Sequence, residues 1–274
     1  MMEDRDALLA LLRWQVEMGA DEAIGDAPVN RLAEPAPVSR EPAEPRAPVP
    51  APSGGMPERG RAPSSLPLEP VQESVSAARR IADACATLED LRAALGEFDQ
   101  CTLKATATNL VFADGNPASG LMFIGEAPGA DEDRQGVPFV GQSGRLLDRM
   151  LAAIGRDRQS AYITNITFWR PPGNRAPTTL EAELCLPFLE RHIQLVKPRL
   201  IVLLGKSAAA TILETQEGIT RIRGKWRSYG KNGLDVPVLP TYHPAYLLRQ
   251  PSAKRDAWQD FLKVKTRLES LDTP

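Results

Sequence analysis

Four short apolar runs constrain the fold of this chain most: LMFIG at 121–125, SAYITNI at 160–166, RLIVLLG at 199–205 and VPVLPTYH at 236–243. Each has strand length and is rich in β-branched or aliphatic residues. Between them lie the helix-length segments QSGRLLDRMLAAIG, TTLEAELCLPFLERHIQLV and KSAAATIL, and SAKRDAWQDFLKVKTRLES closes the series. Strands alternating with helices in this way form βαβ units, so the expected fold is α/β, a three-layer αβα arrangement with a mainly parallel central sheet. One interruption, TRIRGKWRSYGKNGLDVPV, reads as a hairpin turning at GKNG. An earlier stretch, VQESVSAARRIADACATLEDLRAALGEF, reads as helical and leads into the globular part.

In open α/β sheets, sites form beyond the carboxyl ends of the strands. The unusual residues fall there: Glu126 after the first run, Asn165 near the end of the second, Gly205 after the third and His243 after the fourth. The segment GEAPGADEDRQGVPFVG, following the first run, has the strand–loop–helix layout of a phosphate cradle. Its chemistry opposes that use, because Glu126, Asp131, Glu132 and Asp133 would repel the anion that backbone N–H groups attract. Neither GxxxxGKS nor GxGxxG is present, which counts against a nucleotide-handling enzyme.

Phe139 offers a flat apolar face, and Asn165 offers one acceptor and two donors in a plane. Together they suit a small planar heterocycle with an amide-like edge. Uracil fits, since an asparagine amide can accept from its N3–H and donate to O4, whereas cytosine presents the opposite pattern. His243 is placed to donate to a ring carbonyl that gains negative charge, and Glu126 or Glu132 to orient a water or stabilise a cation. Each residue also has an ordinary use: Asn165 as a turn or cap, Phe139 as core, His243 as a cap before Pro244, and the acidic run as solvated surface. His192, inside a helix without such company, reads as structural. The convergence of several such residues on one rim favours a site.

The ordered motifs GEAPGADED, PFVGQSGRLLDRML, YITNI, RPPGNRAP and HPAYLLR resemble those of the family 4 uracil-DNA glycosylases, over roughly Asp99 to Leu268. The resemblance implies a glycosylase of base-excision repair that flips uracil out of DNA and hydrolyses its N-glycosidic bond, leaving an abasic site. It makes GEAPG the catalytic loop, with Gly125 and Ala127 against the substrate, Phe139 the stacking ring, Asn165 the base reader and His243 the leaving-group contact. Glu126 and Glu132 are the expected catalytic carboxylates, and Asn174 is a further binding position. Arg249 and the basic, aromatic-interleaved hairpin residues Arg221, Arg223, Lys225 and Arg227 are candidates for the DNA backbone. Tyr246 to Leu248 are candidates to fill the space left by the base. A non-hydrolysing module that only binds the lesion is the alternative, and the retained Glu126, Glu132 and His243 count against it.

The resemblance breaks at one place. Family members typically hold an iron–sulfur cluster on four cysteines, two of them in a CxxC pair. Here Cys101 matches the second cysteine of the pair while the first falls on Phe98, and Cys185 matches the fourth while the third falls on Trp169. Neither Phe nor Trp can ligate iron, so the expectation is no metal and no cofactor, with Phe98 and Trp169 forming an apolar plug.

Ahead of the domain, expected over 71–274, residues 27–70 are rich in Pro and Ala and read as a disordered linker. Residues 1–26 carry Leu8, Leu12 and Val16 at helical spacing, widened by Leu9 and Trp14, and read as an amphipathic helix. It is suited to recruit a replication or repair protein, or to fold back. The net charge of −2 hides a basic final third, 17 basic against 10 acidic residues from Arg170 onward, which permits contact with a polyanion. Three widely spaced cysteines fit a reducing cytoplasm, and no apolar run reaches membrane-spanning length. The expected partner is uracil-containing DNA, single- or double-stranded, met by a monomer.

Overall fold

A computed structural model of the protein describes residues 68–272. The helix and most of the linker expected over 1–70 lie outside the described residues. The first helical stretch divides into α1 (Leu68–Ala84) and α2 (Leu88–Glu97). The division comes from Thr87, whose side chain accepts from the Asp90 N–H while the Asp90 carboxylate accepts from the Thr87 N–H. This capping box starts a second helix where the periodicity alone runs on.

The remaining elements follow in order: β1 (Asp114–Gly115), β2 (Leu121–Gly125), α3 (Ala130–Gln135), α4 (Gln142–Ala153), β3 (Tyr162–Asn165), α5 (Thr179–Val196), β4 (Leu200–Leu204), α6 (Lys206–Leu213), α7 (Ile219–Ile222), β5 (Arg227–Tyr229), β6 (Val236–Thr241), α8 (Pro244–Arg249) and α9 (Lys254–Asp272). The strands form one sheet in the order β1-β3-β2-β4-β6-β5. The four expected strands, β2, β3, β4 and β6, are mutually parallel, and the short β1 and β5 close the two edges antiparallel.

Successive residues of the central strands supply two different cores, as the two-residue period of a strand requires. Met122, Ile124, Ile201 and Leu203 pack with Leu91, Phe188 and Leu189 on one face. Leu121, Phe123, Val202 and Leu204 pack with Leu147, Leu151, Phe261 and Val264 on the other. Burial on both faces explains why these strands read as continuous apolar runs.

Two segments depart from their sequence reading. The expected hairpin is shorter: its first residues form α7, and only β5 pairs with β6, with Asn232 and Gly233 at positive φ in the turn. Gly224, at φ 66°, breaks the chain out of α7. The acidic loop contains the helix α3, favoured by three carboxylates in its first turn and by Gly136 in the left-handed conformation at its end. No helix among the described residues is long and apolar enough to cross a membrane.

Candidate active site

The site is built on the absence of a side chain at Gly125, the last residue of β2. A Cβ there would lie 2.4 Å from Asn165 Oδ1 and 2.6 Å from Phe139 Cζ. Glycine therefore lets the amide at the end of β3 and the ring from the following loop meet over the strand end. Asn165 is 1% exposed, and its Oδ1 has no hydrogen-bond partner in the protein. An acceptor left in that condition costs about 1–3 kcal/mol, which makes it a marker for a donor brought by a ligand.

Phe139 is held in a left-handed conformation, φ 56°. Arg158 enforces it: its guanidinium donates to the backbone carbonyls of Phe139 and, at 3.1 Å, of Pro138. The same guanidinium is fixed by Asp114 at 2.6 Å and Asp148 at 2.9 Å. Gly144 clears the remaining space, since a Cβ on it would fall 1.5 Å from the Phe139 carbonyl oxygen.

The four carboxylates of the acidic segment separate into distinct tasks. Both oxygens of Glu132 are occupied, Oε2 accepting from the Gly129 N–H at 3.1 Å and Oε1 from the Gly141 N–H at 2.9 Å. Asp133 is buried and accepts from the N–H groups of Thr108 and Asn109. Asp131 pairs with Arg134. Glu126 is the one whose pKa is raised by burial, as expected of a carboxyl drawn out of water. Glu132 thus clamps the loop while also lining the cavity, where Glu126 and Asp131 present the other two carboxylates.

His243 both caps and faces the site. Its Nδ1 accepts from the Ala245 N–H at 3.1 Å at the start of α8, which puts the proton of the neutral ring on Nε2. Burial, and then the charge of Arg249, lower its pKa to about 4, so the ring is a neutral donor at physiological pH. Its ring lies 5.6 Å from that of Phe139. Gly205, at φ 94°, does not carry chemistry itself; it gives His243 room, a Cβ there lying 3.0 Å from that of the histidine.

Glu126, Ala127, Glu132, Phe139, Asn165, Asn174 and His243 line a single cavity of about 550 Å³, together with Tyr246 and Arg249. The sequence from residues 112 to 262 matches the family model described as the uracil DNA glycosylase superfamily. The chain belongs to that superfamily. It is 40% identical over 182 residues to the type-4 uracil-DNA glycosylase of Archaeoglobus fulgidus, covering 65% of this chain and 92% of that protein. It is 39% identical over 172 residues to the type-4 enzyme of Thermotoga maritima, covering 61% of this chain and 86% of the relative. To the type-5 uracil-DNA glycosylase of Pyrobaculum aerophilum it is 31% identical over 137 residues, covering 49% and 58%.

In this member of the superfamily, not every expected DNA contact is free to make one. Arg223 turns inward, donating to both oxygens of the buried Asp260 and stacking over the Tyr242 ring at 5.3 Å. Leu247 is 1% exposed and packs with Leu146, Tyr242 and Ala257, so it anchors α8 and cannot act as a wedge. Tyr246, Lys225 and Arg249 are exposed. Asn174, also exposed, has its Oδ1 engaged by Arg170 Nε at 2.7 Å, which aims its amide. Sequence reasoning passed over Arg158 and Gly144, which act only through the backbone of Phe139, and Arg175, which lines the cavity and pairs with Glu181. Only Arg175 carried a signal, its place in RPPGNRAP.

The resemblance implies cluster ligands at four positions. Phe98, Cys101, Trp169 and Cys185 are all at most 4% exposed and belong to one apolar core. The Phe98 ring packs 5.0 Å from that of Phe188, and Trp169 meets Phe168 edge-on. Two thiols among aromatic rings do not fit a four-iron cluster, which takes a thiolate at each of four ligand positions.

Proposed function

We propose that this chain excises uracil from DNA by hydrolysis of the N-glycosidic bond, with the uracil held at the cavity described above. The observation that carries the reading is the buried, unpartnered Asn165 Oδ1 beside the Phe139 ring. A uracil stacked on Phe139 supplies the missing donor through N3–H, and the asparagine N–H meets O4. Cytosine would set acceptor against acceptor there. The names of the type-4 relatives and the superfamily match support the same substrate.

The target carbon is inaccessible inside a duplex stack, so the nucleotide is turned out into the cavity before reaction. As the bond between C1′ and N1 breaks, its electron pair leaves with the base and the sugar becomes cation-like. The neutral His243, with its proton on Nε2, donates to the uracil carbonyl on which the charge accumulates. Glu126, as a carboxylate, stabilises the sugar cation and orients the water whose oxygen adds to C1′. The products are free uracil and an abasic site. These steps call on no metal, and Phe98 and Trp169 are buried in the apolar core.

One assay separates excision from lesion binding: single- and double-stranded oligonucleotides with one uracil are incubated with the protein and treated with alkali. Strand breaks at the uracil are expected, whereas a gel shift without breaks would make the protein a binding module. Iron analysis of the purified protein should give far less than one atom per chain, with no broad absorbance near ~400 nm. Stoichiometric iron would overturn the cluster-free reading while leaving excision intact.

A further inference from the structure

A second concave surface lies beyond the cavity, between α4 and α9. Its volume is about 290 Å³, and Leu146 and Met150 of α4, Leu247 of α8, and Trp258 and Phe261 of α9 form its walls. Trp258 is 41% exposed, far more than the core rings. Helix α8 joins the two surfaces, since Tyr246 and Arg249 line the cavity and Leu247, between them, lines the groove.

The charged residues that line the groove, Arg149 and Lys254, are both cations. Arg145 and Arg149, one turn apart on α4, Arg249 on α8 and Lys254 on α9 are all exposed. Of the acidic residues nearby, Asp148 pairs with Arg158, and Asp256 and Asp260 with Arg223. The groove therefore offers two cations, Arg149 and Lys254, and an exposed indole, with Arg145 one turn from Arg149 and Arg249 on the cavity side of α8. An aromatic face flanked by cations suits a single nucleic-acid strand, whose bases stack while its phosphates pair.

We propose that the strand flanking the flipped uridine, on one side only, continues over α8 into the α4–α9 groove. There one base stacks on Trp258, and phosphates are held by Arg145, Arg149 and Lys254. The inference rests on the uracil-excising function proposed above and adds to it a preference for substrates with an unpaired flank. Charge complementarity and continuity with the cavity favour a DNA strand over an acidic protein segment as the occupant.

The test compares kcat/KM on single-stranded oligonucleotides whose uracil has about two nucleotides on each side, with others extended to about eight on the 5′ or the 3′ side. One extension, and not the other, should raise kcat/KM about tenfold, the worth of one stacked base with its phosphate contacts. Trp258→Ala should bring the long-to-short ratio close to one, and Trp258→Phe, which keeps a stacking ring, should retain most of it. Arg149→Ala should lower the slope of log KM against log salt by about 0.7 on the long substrate. The same ratio in the wild type and in Trp258→Ala would overturn the proposal and leave the groove to a protein partner. Failure of the wild type to cut any uracil oligonucleotide would instead overturn the excision reading on which it rests.

Discussion

Around Asn165 a polar atom stays buried without a partner, whereas around Cys101 and Cys185 aromatic rings fill the core. The first region presents polar groups to a cavity, and the second is closed by apolar packing. An unpaired acceptor is destabilising and persists where a substrate uses it. The thiols of Cys101 and Cys185 sit instead among Phe98, Phe168, Trp169 and Phe188 in an apolar core. The cores explain how the two can separate: Phe139 belongs to the cluster on one face of the sheet, and Phe98, Cys101, Trp169 and Cys185 to that on the other.

The contrast breaks most readily at Asn165. Asn165→Asp keeps the size but places an acidic oxygen against uracil O4, and kcat/KM for uracil excision by the folded variant should fall about 10³-fold. A loss below about tenfold would remove the amide from base recognition. Phe98→Ala should act in the opposite sense. Deleting a ring that is 4% exposed and packed on Phe188 should lower unfolding stability by about 3 kcal/mol, read from the urea midpoint, while the excision rate of the folded protein changes less than about twofold. A large fall in rate at unchanged stability would tie the aromatic core to catalysis.

The strand ends were legible because they depend on chain order: apolar runs set the sheet, and Asn165 and His243 follow from where those runs stop. The roles of Glu132 and Arg158 were not. An acidic residue in GADED looks the same whether it faces substrate or accepts from Gly129 and Gly141, and the second of those N–H groups lies nine residues away. Arg158 reaches Phe139 from 19 residues downstream and Asp114 from 44 residues downstream, a pairing set by where β1 and β3 lie side by side. Arg223 misled for the same reason. A basic residue in a basic hairpin reads as a DNA contact until the carboxylate of Asp260, on a different element, is seen beneath it. The His243 cap shows that ordinary and functional uses can coincide, because the bond from Ala245 selects the tautomer that can donate.

Arg158 gives the next smaller effect. Arg158→Ala removes the donors that hold the Phe139 carbonyl, freeing a ring kept at positive φ, and should reduce kcat/KM about 10²-fold through displacement of the stacking face. Gly144→Ala should give a similar loss by pushing the same carbonyl from the other side. If the two differ strongly, the loop is not held as one unit.

The smallest effect concerns pH. Burial raises the Glu126 carboxyl above its ordinary 4.5, and the ring of His243 titrates lower, at about 4. With Glu126 needed as a carboxylate and His243 needed neutral, activity falls as pH drops, and the Glu126 proton sets the limb first. Glu126→Gln should be slower, but its acid limb should move down to about 4, exposing the histidine. Adding Arg249→Ala to that variant removes a positive charge that opposes protonation of the ring, so the limb should rise again. It should stay below 6.5, since burial, the larger cause of the depression, is untouched. A limb that does not move when Arg249 is removed would mean that the arginine does not act on the histidine, and would leave burial alone to keep the donor neutral.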